Sequence, residues 1–284
     1  MRGALEGLGR WCLRLLWGAG GGAAVFLLLC AAGVVDPETL GPATAEAALP
    51  AVVWTQPRPE PLQVTWLDPE DLDRWEEAVR GRNGAAVTMK GPDGSLAWVS
   101  ALPQAADSGA SYALPARNQA VLAGNEEDGP HTVAAVACLR DDALVRARPD
   151  LALRRVSGSP WRDGSGGGWL DPEKQEVQTY VIGLCRELAD LGFDEIVLTH
   201  CRYPAGYDGT EDRNVGLETF SRRVQRGLAE YPVLLSVEGA AGEEGPAPHS
   251  GQTLALLASF QRVWVPPGTE TALGEFCPSL LPEE

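Results

Sequence analysis

The sequence is poor in the residues from which metal and redox centres are usually assembled: its 284 positions hold only three histidines and six cysteines. His131, His200 and His249 stand far apart, and no pair has the spacing of zinc ligands. The cysteines are too sparse for a disulfide scaffold. Cys12 and Cys30 lie near the N-terminus, while Cys138, Cys185, Cys201 and Cys277 are too widely spaced to read as a metal site. No cofactor is expected. Positive charge is also scarce, with 23 Lys and Arg against 39 Asp and Glu and a formal net charge of −16. Such a chain repels phosphate backbones, which excludes a nucleic-acid partner. There is no solenoid repeat, no G-x-S-x-G elbow and no P-loop. Glycine-rich Ser157–Trp169 lacks the Lys-Ser/Thr ending of a phosphate cradle and reads as a flexible loop.

What the chain does have is an apolar run near its start. Leu15–Val35 contains 21 residues without a charge, enough at about 1.5 Å per residue to cross a bilayer core of roughly 30 Å. Arg2, Arg10 and Arg14 precede it; Asp36 and Glu38 follow it. That asymmetry predicts a cytoplasmic N-terminus at residues 1–14, a membrane anchor at 15–35 and export of everything after it. The alternative is a cleaved signal peptide with Ala31-Ala32-Gly33 at its cleavage site, and it exports the same residues. Six prolines between residues 36 and 61 then read as an extended spacer. The expected location is a cell membrane with an extracytoplasmic C-terminal domain, residues 62–284.

In that domain strands alternate with helices. Leu62–Leu67, Ala85–Lys90, Thr132–Leu139, Ile196–Cys201, Val233–Glu238 and Arg262–Val265 read as strands, with Ser95–Ser100 after a Pro-Asp-Gly turn. Asp68-Pro69-Glu70 opens a helix whose face is Leu72, Trp75 and Val79. Asp171-Pro172-Glu173 opens a stronger one through Val177, Tyr180, Val181, Leu184, Leu188 and Leu191, closed by Gly192. Leu217, Phe220, Val224 and Leu228 line another, and Ser250 is expected to cap a helix through Leu254 and Leu257. Such alternation predicts an α/β fold with a mostly parallel sheet, close to a (β/α)₈, TIM-like barrel whose C-terminal end is short of two strands.

Three blocks in fixed order, Val133–Pro149, Trp161–Pro172 and Gly192–Pro204, make the chain resemble a family of bacterial glycoside-hydrolase-like barrel domains related to the α-amylase-like enzymes. The resemblance implies an exported barrel and a carbohydrate partner. In the third block, Phe193, Asp194, Glu195, Ile196, Arg202, Tyr203 and Pro204 fit the family pattern. Thr199 stands where the family has an aspartate, and His200 where it has an aromatic residue. A threonine can serve neither as a carboxylate nucleophile nor as an ionic stabiliser of an oxocarbenium-like centre, so family-type hydrolysis is in doubt.

Strand alternation places Val197, Thr199 and Cys201 on one, inward face. Barrel enzymes keep their chemistry at the C-terminal ends of strands. The catalytic candidates there are Glu238, as a general acid, and Asp141, which matches a family aspartate. A solvated strand-end acid and a helix N-cap for Ala143–Ala147 are the respective alternatives. Substrate-binding candidates are Arg202, Lys90, Thr199, and Trp161 with Trp169 as stacking faces. For these the alternatives are a structural salt bridge, a surface charge and packing of the loop. Asp208 and Glu211 follow in the loop after Pro204, and Asp194 and Glu195 belong to the strand entry, the stability end of a barrel.

Overall fold

The computed structural model describes residues 62, 64–69, 84–109, 130–209, 211–242 and 245–266, and the backbone of 278–280. The chain divides into two units, Met1–Pro50 and Ala51–Glu284, and every described residue lies in the second. The expected membrane segment Leu15–Val35 and the helix bearing Leu72, Trp75 and Val79 fall outside the described residues. Among the described residues, no helix is long and apolar enough to cross a membrane.

The elements run β1 (Val64–Leu67), β2 (Gly84–Lys90), α1 (Pro103–Ser108), β3 (His131–Ala137), α2 (Asp142–Ala147), α3 (Gln175–Asp190), β4 (Glu195–Thr199), α4 (Arg213–Gly227), β5 (Leu234–Glu238), the two-residue β6 (Ala241–Gly242) and β7 (Gly245–Pro246), α5 (Leu254–Ala258), β8 (Val263–Val265) and β9 (Pro278–Leu280). Seven strands form one sheet in the order β1-β2-β3-β4-β5-β8-β9, and every pairing in it is parallel. Consecutive parallel neighbours joined by helices are the topology of a TIM-like barrel.

The sheet curls. Trp66 of β1 and Trp264 of β8 meet edge to face, with ring centroids 5.6 Å apart, although four strands separate them in the sheet order. Alternation along the strands sorts the side chains. Ala86, Val133, Ala135, Val197 and Trp264 form a small inner cluster, while Val87, Ala134, Val136, Ile196, Leu198, Leu235 and Val237 pack with the helices in the large outer core. Both faces are therefore apolar, as parallel strands require. α3 buries Val177, Tyr180, Val181, Leu184 and Leu188 in that outer core.

Several boundaries differ from expectation. α3 begins at Gln175, because Asp171 accepts from the backbone N–H of Glu173 (2.9 Å) and ties residues 171–174 into a turn. Thr253 caps α5, not Ser250, which instead donates to Ala247 O (2.6 Å). Ser95–Ser100 contributes a single bridge, Leu96 to Lys90. The largest correction concerns Cys201. β4 ends at Thr199, and His200 takes the left-handed conformation at φ 54°. That reversal breaks the alternation, so Val197 faces inward while Cys201 turns outward into the helix-side core.

Candidate functional site

The C-terminal ends of β2, β3, β4 and β5 converge, and their last residues form an ion-paired mouth. Glu238 closes β5 on the inward register, two residues after Ser236. Its carboxylate is gripped by one short segment: the backbone N–H of His200 donates to Oε2 (2.6 Å), and the Arg202 guanidinium pairs with Oε1. Burial opposes ionisation, but the positive charge of Arg202, the nearby His200 and their hydrogen bonds prevail, so the Glu238 carboxyl is held below its ordinary range. A general acid must keep its proton near neutral pH. Arg202 and the His200 N–H thus favour the ionised form of Glu238 over the protonated form that the general-acid expectation needs.

His200 owes its place to the strained turn. A non-glycine residue with positive φ is uncommon, and such strain concentrates at functional sites. The ring tilts against Trp169 with centroids 5.8 Å apart, and its Nδ1 lies 3.4 Å from Thr199 Oγ1. Burial lowers its pKa to about 4; Arg202, Arg140 and Lys90 push the same way and Glu238 opposes them. The imidazole is neutral at physiological pH. Sequence reasoning gave His200 no role, and only its departure from the family's aromatic residue marked it.

Lys90 and Asp141 are both sealed from solvent, at 0% exposure. Lys90 Nζ lies 3.1 Å from Asp141 Oδ2 and donates to Ala137 O (2.7 Å) and Arg140 O (3.2 Å). Asp141 Oδ1 accepts from Leu144 N (2.8 Å) and caps α2. Both groups are paired with each other inside the wall of the mouth, although Asp141 Oδ2 accepts no hydrogen bond there. A substrate-contacting Lys90 and a catalytic Asp141 are not what this geometry offers. Gly94 makes room for the arrangement: it has φ +92°, and a Cβ there would stand 2.2 Å from Asp141 Oδ1.

The glycine-rich segment expected to be a flexible loop is instead a bonded hairpin. Arg140 bridges to Trp169, Ala152 to Leu170, Arg154 to Pro160 and Arg162 to Gly168. Asp163 is its hub, with Oδ1 accepting from Ser165 N, Ser165 Oγ and Gly167 N, and Oδ2 from Trp169 Nε1 (3.0 Å). Burial opposes ionisation here as well, yet these bonds and Arg140 bring the Asp163 carboxyl down to about 2. Trp161 and Trp169 are each only 4% exposed. Trp161 packs edge-on against Tyr207, with centroids 5.7 Å apart. Neither presents an open stacking face, because Trp161 packs on Tyr207 and Trp169 on His200 and Asp163.

Gln252 is a further member that sequence reasoning missed. Its side-chain amide donates to Cys201 O (2.9 Å) and Glu238 O (2.8 Å) and accepts from Ala240 N (2.7 Å), fastening the ends of β4 and β5 together. Nothing in its sequence context signals this. Carboxyls whose pKa is raised lie at the start of α3. Burial lifts Asp171 and Glu173, and both respond to each other or to Glu211. At the opposite end of the strands, Glu195 is fixed by His131, Arg262 and Trp264, as suits the stability end of a barrel. Among the described residues, no group of three His, Cys, Asp or Glu side chains could hold a metal ion.

Residues 78–263 match the family described as "Putative glycosyl hydrolase domain". The chain belongs to this family. Membership supports a carbohydrate-related, hydrolase-like function. Among solved structures, a hypothetical protein from Ruminiclostridium thermocellum is 23% identical at a TM-score of 0.52, with 61% of this chain covering 95% of that one. A chitobiase from Flavobacterium johnsoniae is 10% identical at a TM-score of 0.51, over 78% of this chain and 44% of its own. At such identities these two likenesses bear on the fold alone, and they fit the TIM-like barrel of this family. No curated protein matches the chain.

Proposed function

We propose that this chain is a membrane-anchored, extracytoplasmic family member whose barrel mouth binds cell-envelope or environmental carbohydrate without hydrolysing it. The location is supported by the charge asymmetry around Leu15–Val35 and the proline-rich spacer after it. Kinship with the α-amylase-like enzymes is supported by the three ordered sequence blocks.

The observation that carries the loss of hydrolysis is that neither position expected to supply a second carboxyl beside Glu238 does so. Glycosidases work with two carboxyls roughly 5–9 Å apart, usually one protonated and one ionised. Glu238 is kept ionised by Arg202. Asp141 is committed to Lys90 and to the α2 cap, and Thr199 supplies no carboxylate. What remains suits binding: Glu238, Arg202, Thr199 and neutral His200 offer hydrogen bonds of both senses to sugar hydroxyls. Lys90, Asp141, Trp161 and Trp169 build the wall behind them.

The full chain, reconstituted in nanodiscs, tests this on immobilised glycans. Glu238→Gln removes a charge-assisted partner and is expected to weaken binding about tenfold, the worth of one such bond. Unchanged affinity would remove Glu238 from the ligand site. The closed faces of Trp161 and Trp169 favour a second reading, a partner-binding or structural exported domain. A wild-type chain that retains no glycan supports that reading instead.

A further inference from the structure

The expected exported location leaves one question that sequence could not answer: which cysteines pair. Among the described residues Cys138, Cys185 and Cys201 are buried thiols, and the sheet register brings the first and last of them together. β3 and β4 run parallel with Ala137 opposite Thr199, and the ladder continues one step further, where Cys138 N donates to Thr199 O (2.9 Å). Cys138 therefore leaves its strand beside His200. The left-handed turn at His200 throws Cys201 to the helix side of the sheet, where Cys138 already lies, and both join the same outer core. With strands about 4.8 Å apart and a rise of about 3.3 Å per residue, such diagonal neighbours have Cα atoms roughly 6 Å apart. Disulfides most often bridge that separation. The Cys201 thiol lies 4.0 Å from Ser221 Oγ, while Cys185 sits on α3 in the same core.

We propose that Cys138 and Cys201 form a disulfide in the exported chain, clasping the mouth ends of β3 and β4 beneath His200 and Asp141. The inference rests on the export part of the proposed function, since disulfides persist in oxidising compartments. Each thiol gives up one proton and one electron as the S–S bond forms. The two electrons and two protons reduce a disulfide-class oxidant, such as an oxidoreductase disulfide or oxidised glutathione, to two thiols. Both cysteines and Cys185 are thiols in this structure and all are buried. Burial pushes Cys138 up and Cys185 up to about 12, so the folded core resists oxidation. The bond therefore forms while the chain folds, before the thiols are buried.

The test traps free thiols of the membrane-expressed full chain by alkylation in denaturant, then digests it without reduction for mass spectrometry. The expected result is one cross-linked species carrying Cys138 and Cys201, about 2 Da lighter than its two thiol peptides, with Cys185 alkylated. Protease accessibility of intact cells, measured on the same sample, reports the location separately. Both cysteines alkylated in a chain shown to lie outside overturns the proposal, as does a bond to Cys185 or Cys277. If the chain lies inside, the location reading fails. The purified chain is then refolded in a glutathione redox buffer, where the proposal still requires the same link and its absence refutes it. Closing a loop of this length is expected to raise Tm by roughly 10 °C relative to Cys201→Ser, and no difference in Tm counts against the bond.

Discussion

The burial of Lys90 makes the most demanding prediction. Its ammonium donates to Ala137 O at 2.7 Å and Arg140 O at 3.2 Å and is ion-paired with Asp141 Oδ2 at 3.1 Å. Lys90→Met fills similar space but leaves the Asp141 carboxylate buried with only the Leu144 N–H on Oδ1. An uncompensated buried charge of this kind costs about 3–5 kcal/mol. For a domain of this size, Tm is then expected to fall by about 6–20 °C, at roughly 2–4 °C per kcal/mol. Asp141→Asn keeps a cap acceptor of equal quality yet strands the ammonium, so its cost is similar. Asp141→Ala adds about 1 kcal/mol for the lost cap. The double variant Lys90→Met/Asp141→Asn buries no unpaired charge and is expected to recover at least about 2 kcal/mol of the summed losses. Urea unfolding followed by tryptophan fluorescence completes the cycle. A loss below about 1 kcal/mol in Lys90→Met, with purely additive effects in the double variant, would show the ammonium to be solvated. Lys90 would then regain its place as a group facing a ligand.

Three further outcomes follow from named contacts. Leu184→Ala, in the fully buried face of α3, is expected to lower the unfolding free energy by about 2–5 kcal/mol; an unchanged denaturation midpoint contradicts that packing. Burial lowers the His200 pKa from 6.5 to about 4, so the unfolded chain takes up a proton that the folded chain refuses. The stability tied to His200 is complete above pH 6.5 and is lost as pH falls toward 4. His200→Asn, which tolerates the left-handed conformation, is expected to flatten that loss by about 3–4 kcal/mol, at about 1.4 kcal/mol per pKa unit; parallel stability profiles for the two proteins refute it. Carbonate washing without detergent is expected to leave the intact chain in the membrane pellet, whereas a soluble product beginning near Gly33 indicates a cleaved leader.

Local pattern made much of the fold legible. β3 and β4 are continuous apolar runs, and α3 repeats apolar residues at helical spacing, so each announces its class and its buried face. β9 went unseen because Pro278–Leu280 is three residues long and opens on proline, a residue that reads as a break. The site was legible in position but not in state. Alternation put Glu238 and Thr199 at the mouth, while the partners that decide their chemistry are distant in sequence: Arg202 lies 36 residues from Glu238, and Asp141 lies beyond α1 from Lys90. Whether a lysine or a tryptophan is exposed is settled by what folds over it. Tyr207 packs on Trp161 and His200 on Trp169, and the Lys90 side chain points into a carbonyl cage that no local motif encodes. The outward turn of Cys201 depends on one dihedral angle at His200, and strand periodicity carries no trace of it.

The central claim is that the mouth binds sugar and does not cleave it. The most direct test incubates the wild-type chain with a panel of plant and bacterial glycans and measures retention and reducing-end release on the same samples. The account predicts retention of at least one glycan with release no faster than in a blank. Robust release from any retained glycan would contradict it, because the ion-paired Glu238 would then have a working carboxyl partner.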